Sequence, residues 1–146
     1  MTPGYSGKPL SKKLGITPGM IVITVGAPEN YADLLMHVPN DVLIVEAGSL
    51  GSSRAKISSA PADIVHLFTN SRDDLFRGLA EYKNVIKQDG TIWVSWYKKA
   101  AKLPTEITED TVREACLPLG LVDVKVCAVD DRWSGLKLVI RKENRT

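Results

Sequence analysis

Apolar and polar positions alternate in blocks along this chain. Six short apolar runs, rich in β-branched residues, read as strands: 20–25, 42–46, 63–68, 91–96, 121–129 and 136–141. The first run, Met20-Ile-Val-Ile-Thr-Val25, is nearly unbroken, as expected for a strand covered on both faces of a parallel sheet. Between the runs the apolar period lengthens toward 3.6, and three helices are expected. The first covers about 28–37, with Pro28 in its first turn and Leu34, Leu35 and Val38 on its apolar face. The second opens at Ser71, a natural cap with Asp73 and Asp74 behind it. It carries Leu75, Leu79, Tyr82 and Ile86 at helical spacing and ends at Asp89-Gly90. The third covers about 108–119 with Thr108 as its cap, and Pro118 shortens or kinks its last turn. The last two runs flank Asp130-Asp-Arg-Trp-Ser-Gly135 and read as a hairpin. Strands alternating with helices, then a hairpin, predict an α/β fold. Its sheet is mostly parallel, with helices on both faces and a C-terminal antiparallel hairpin.

Two stretches fall outside this alternation. Residues 1–19 read as an N-terminal arm with a short helical turn around Leu10–Leu14, leaving 20–142 as a single α/β domain. Gly4-Tyr-Ser-Gly-Lys8 invites comparison with a phosphate loop. The two glycines are too close together, and Pro9 stands where a Ser or Thr is needed. Residues 47–61 are dense in Gly and Ser and read as a long loop, with a short helix around Arg54–Ile57.

Composition narrows the functional classes. The 146 residues are 44% apolar and 25% charged, as in an ordinary globular protein. A formal net charge of +2 argues against nucleic acid as a partner, although lysines gather at 8–13 and 98–102 and basic residues at 141–145. No run approaches the length of a membrane span, and the polar, Gly- and Pro-containing N-terminus does not resemble a signal peptide. Cys116, expected on a helix, and Cys127, expected in a strand, have no pairing or metal-ligand spacing. They read as small buried residues in a reducing, cytoplasmic compartment.

The order of elements resembles the S-adenosylmethionine-dependent methyltransferases, whose Rossmann-like sheet ends in an antiparallel strand. Gly26 stands at the place of that family's glycine-rich first turn. Glu46, about 20 residues on, stands where an acidic residue would hold the ribose hydroxyls. Lys87-Gln-Asp-Gly-Thr-Ile-Trp-Val94 resembles the family's run from helix into strand, and Leu119-Gly-Leu-Val122 its entry to the last hairpin. The pattern is truncated, because one strand and one helix are missing where the Ser-rich loop joins the second and third strands. The first turn has one glycine where a dinucleotide fingerprint has three. His66-Leu-Phe-Thr-Asn70 stands where an Asn-Pro-Pro-Tyr-like motif is usual. More closely, the chain is similar to a small bacterial family of unknown function, on Gly4-Tyr-Ser-Gly7, Ala27-Pro-Glu-Asn-Tyr31, Trp93-Val-Ser-Trp-Tyr-Lys-Lys99 and Val124–Lys137.

Ligands of open α/β sheets bind beyond the carboxyl ends of the strands. That rim collects Gly26, Asn30, Tyr31, Glu46 and Asn70 as cofactor-binding candidates. Trp96, Lys98, Lys99 and Trp133 join them as ligand-binding candidates for a small anionic or nucleotide-like molecule. Plainer readings stand beside these: Glu46 solvating a loop, Lys98 and Lys99 as solvated residues after a strand, and one or both of Trp93 and Trp96 packed beneath helices. His66, inside an apolar strand, reads as a core histidine, and His37 as a cation at a helix end. No Ser-His-Asp order, carboxylate pair or metal-ligand cluster stands out. The expectation is a methyltransferase-like domain that binds a ligand or partner through an eroded cofactor motif. The alternative is an active S-adenosylmethionine-dependent methyltransferase.

Overall fold

The computed structural model describes residues 9–35, 37–48 and 61–145. Its strands are β1 (Ile21–Val25), β2 (Leu43–Gly48), β3 (Ala62–Phe68), β4 (Ile86–Tyr97), β5 (Leu121–Ala128) and β6 (Trp133–Ile140). They form one sheet in the order β2-β1-β3-β4-β6-β5. The pairs from β2 to β4 are parallel, and β6 runs antiparallel to both β4 and β5. This is the mostly parallel α/β sheet with a C-terminal antiparallel hairpin that the alternating pattern implies.

Helices cover both faces. On one lie α1 (Leu10–Leu14) and α2 (Tyr31–Leu35); on the other lie α3 (Arg72–Tyr82) and α4 (Glu109–Cys116). The α3/α4 face buries Leu75, Leu79, Tyr82, Val112 and Cys116 against Val65, Leu67, Ile92, Val94 and Leu138. The α1/α2 face buries Leu10, Leu14, Tyr31 and Leu35 against Val22, Ile64, Phe68 and Trp93. Each fully buried aliphatic side chain contributes about 1.5–3 kcal/mol, so these two layers dominate stability. Ser71 caps α3 by accepting from Asp74 N, and Thr108 and Thr111 form a reciprocal capping box on α4.

Three boundaries differ from the pattern, each for a local reason. The first helix is shorter than expected: Tyr31 N donates to Pro28 O at 3.0 Å, so Pro28–Asn30 form a turn before α2. α3 stops at Tyr82, not at Asp89-Gly90, because Ile86, one helical period on, also begins β4. From Ala62 to Ile64 β3 advances two positions while β4 advances five, Ile86 to Thr91, so residues 87–90 bulge out of the ladder. As expected at Pro118, α4 is shortened and gives way to a 3₁₀ turn over Leu117–Leu119, where the proline has no N–H to continue the α ladder. The hairpin turn is tighter than 130–135: Asp130 Oδ1 accepts from Arg132 N and Trp133 N at 2.8 and 2.9 Å, and β6 begins at Trp133. The helical turn at Leu10–Leu14 is present and packed. Gly4–Lys8 and the expected helix at Arg54–Ile57 lie outside the described residues.

Candidate functional site

Gly26 turns the chain sharply out of β1 at the carboxyl rim of the sheet. Its φ of +69° is in the left-handed region, and a Cβ there would sit 2.8 Å from Phe68 O. A side chain is therefore excluded both by backbone strain and by the neighbouring strand. Beyond this turn the rim opens into a cleft of about 710 Å³ between the start of α2 and the β5–β6 turn. Pro28, Glu29, Asn30 and Leu34 form one wall, and Asp130, Asp131, Arg132 and Trp133 the other. Three carboxylates, of Glu29, Asp130 and Asp131, line this cleft with the Arg132 guanidinium. Trp133 is held edge-on to Phe68 at 4.9 Å and tilted against Tyr97 at 4.6 Å, which fixes its ring at the cleft wall.

Directly beneath that wall lies a buried polar chain. Tyr31 Oη is 2.8 Å from His66 Nδ1, and His66 Nε2 is 2.7 Å from Ser95 Oγ. His66 also stacks on Phe68 at 4.1 Å. The parallel register builds this chain: Thr24 lies opposite His66, which lies opposite Trp93, two positions from Ser95 on the same face. His66 and Ser95 are fully buried. Burial lowers the imidazole pKa to about 3 and pushes the Tyr31 phenol up, so both are neutral. Every buried side-chain polar atom among the described residues has a partner. This arrangement satisfies a core; it does not present a base to solvent.

The structure brings some of the candidate residues together and separates others. Asn30 and Trp133 face each other across the cleft, and Tyr31 lies just under it. Lys98 is next to the turn, its N–H donating to Arg132 O at 2.7 Å, while Lys99 opens an exposed 3₁₀ turn; neither lines the cleft. Asn70 faces a second cleft of about 550 Å³ with Ser71, Asp74 and Glu106. There its Oδ1 accepts from Tyr97 N and its carbonyl from Glu106 N. Trp96 departs from its ligand-binding reading: it points to the opposite face and is buried with Val94 and Ile92 in the α3/α4 core. Glu46 is exposed at the end of the edge strand β2, opposite Thr24 and away from the cleft. Glu29, within the Ala27–Tyr31 run, and Asp131, in the hairpin turn, also line the cleft. Among the described residues there is no cluster of metal-ligating side chains, and both cysteines are free thiols. No helix among them is long and apolar enough to cross a membrane.

Known proteins resemble the chain in two ways. The family model described as "Protein of unknown function (DUF3052)" matches residues 11–142. No curated protein matches. Among solved structures, a SAM-dependent methyltransferase from Aquifex aeolicus superposes with a TM-score of 0.58 at 15% identity, covering 89% of this chain and 87% of that one. Precorrin-6y C5,15-methyltransferase from Geobacter metallireducens GS-15 gives 0.61 at 12%, covering 90% and 86%. TrmN from Thermus thermophilus gives 0.57 at 10%, covering 90% of this chain but 47% of that protein. At such identities the likeness is one of fold: a methyltransferase-like, Rossmann-like sheet.

Proposed function

The chain belongs to the DUF3052 family of unknown function, and from that premise we propose that it is a small-molecule-binding module on a methyltransferase-like fold, not a group-transfer enzyme. One observation carries this reading. The one buried imidazole, His66, is bonded to Tyr31 and Ser95 beneath the surface, while the open cleft is lined by carboxylates, an amide, a guanidinium and an indole ring that suit binding. The ligand that suits those groups has a planar ring to lie on Trp133. It carries hydroxyls or a positive centre for Glu29, Asn30 and Asp131. A nucleoside has the first two properties, and an adenosyl sulfonium has all three.

A second reading is an active methyltransferase that binds S-adenosylmethionine in its family's usual place. Glu46 favours it, because its carboxylate is exposed at the end of β2 beside the strand that leads to Gly26. The turn itself fits poorly. Ala27 and Pro28 put side chains where close approach needs glycine, and Pro28 offers no N–H. When bound, the cofactor would supply the methyl group; Glu46 would hold its ribose diol.

Calorimetric titration with adenosine, S-adenosylmethionine and S-adenosylhomocysteine separates the readings. The binding-module reading expects micromolar affinity for at least one probe, weakened about tenfold or more by Trp133→Ala or Asp131→Ala, with no methyl transfer. Affinity lost in Glu46→Ala and kept in Trp133→Ala supports the second reading. Absence of heat with every probe contradicts both.

A further inference from the structure

The strand β5 ends the sheet, and among the described residues no strand pairs with its outer edge. Val124 and Val126 on this strand are 54% and 53% exposed, unusual for valines in a sheet. Lys125 lies directly opposite Lys137 of β6. Like charges placed opposite each other destabilise a ladder, and neither lysine is in an ion pair among the described residues. Two positions further on, Cys127 faces Gly135 on the same side of the sheet. Burial raises the Cys127 pKa, and the charges of Lys13, Lys125 and Lys98 oppose that rise. Lys13 reaches it from α1, its ammonium donating to Ala128 O at 2.7 Å. Lys125, Lys137 and Lys13 thus bring basic charge to the strands of a hairpin whose turn carries Asp130 and Asp131.

We propose that the outer edge of β5 docks an extended acidic segment of a protein partner, which adds a strand to the sheet. Three features of the edge match such a segment together. The edge, which no described strand covers, suits a strand, its exposed valines suit apolar side chains, and Lys125 and Lys137 suit carboxylates. A nucleic acid would use the lysines alone and leave the strand edge and its valines unused. The ladder irregularity between Asp123 and Lys125 shortens the regular edge to Lys125–Ala128. The same irregularity and Lys125 guard against self-pairing, since a second copy brings the same positive charge to the joint.

The test is fluorescence anisotropy of the full chain with labelled peptides. An alternating Glu-Val peptide should bind with a Kd on the order of 10–100 μM, weakening as salt rises. The same peptide N-methylated along one edge keeps its charge but cannot extend the ladder, and should bind about tenfold more weakly. A Lys125→Glu/Lys137→Glu variant should lose the acidic peptide and gain a Lys-Val peptide, with an unchanged circular dichroism spectrum as the control for folding. Equal binding of the plain and N-methylated peptides overturns the proposal. So does tighter binding of an oligouridine of equal charge, or unaltered binding by the variant.

Discussion

The two faces of the sheet are built on different principles. The α3/α4 face is apolar inside and tied by ions outside. Arg72 bonds Glu114 through two nitrogens at 3.1 and 2.9 Å, joining the two helices, and Arg113 reaches Glu109, Asp110 and Asp123. The α1/α2 face is polar inside and carries the Lys125–Lys137 pair on its hairpin strands: Tyr31, His66 and Ser95 occupy the core, and Trp93 Nε1 donates to Leu14 O at 3.2 Å. Both faces are closed by short helices, yet only the second adjoins the main cleft. A buried polar chain fixes ring orientations more strictly than aliphatic packing does. This face therefore holds Tyr31, Phe68 and Trp133 in one geometry at the cleft wall.

Substitutions can break this contrast in order of size. Leu79→Ala on the α3/α4 face should cost about 2–5 kcal/mol in urea unfolding, because a fully buried leucine leaves a cavity. At the rim between the faces, Gly26→Ala should cost about 1–3 kcal/mol, from its positive φ and the approach of Phe68 O. On the polar face Ser95→Ala should also cost about 1–3 kcal/mol, by leaving one imidazole nitrogen buried without a partner. If Ser95→Ala proves neutral while Leu79→Ala is costly, the polar chain is not structural and the contrast fails.

Acid sharpens the same comparison. The unfolded chain protonates His66 as pH falls through about 6.5. The folded chain resists until about pH 3, because burial disfavours the charged ring. The contribution is therefore complete above pH 6.5 and is lost progressively as pH falls from 6.5 toward 3. Its slope reaches at most about 1.4 kcal/mol per pH unit. Urea midpoints measured across that window should fall in the wild type and flatten in His66→Phe. The smallest effect belongs to the exposed ions: Arg113→Ala should lower the midpoint only slightly, and less still at high salt.

Much of the fold was legible because β-branched apolar runs and capped helices are local signals. β1, β3, the start of α3 and the hairpin lie close to where period and caps put them. The facing of Asn30 and Trp133 was legible too, since the carboxyl rim of a parallel sheet gathers its turns. Three things were not. Ile86 fits both a helical period and a strand start, so the end of α3 was ambiguous. Alternation put Val94 and Trp96 on one face, but could not say which face bordered the cleft. The Tyr31–His66–Ser95 chain joins residues 35 and 29 positions apart and exists only through the β1–β3–β4 register. Lys125 and Lys137 escaped notice for the same reason, as neither belongs to a run of charge.

Amide chemical-shift mapping by NMR, with adenosine and S-adenosylhomocysteine added to the ¹⁵N-labelled chain, tests the central claim most directly. The account predicts perturbations concentrated at Glu29–Leu34 and Asp130–Trp133, the two walls of the cleft. Spectra that do not change, or changes confined to the end of β2 around Glu46, would contradict it.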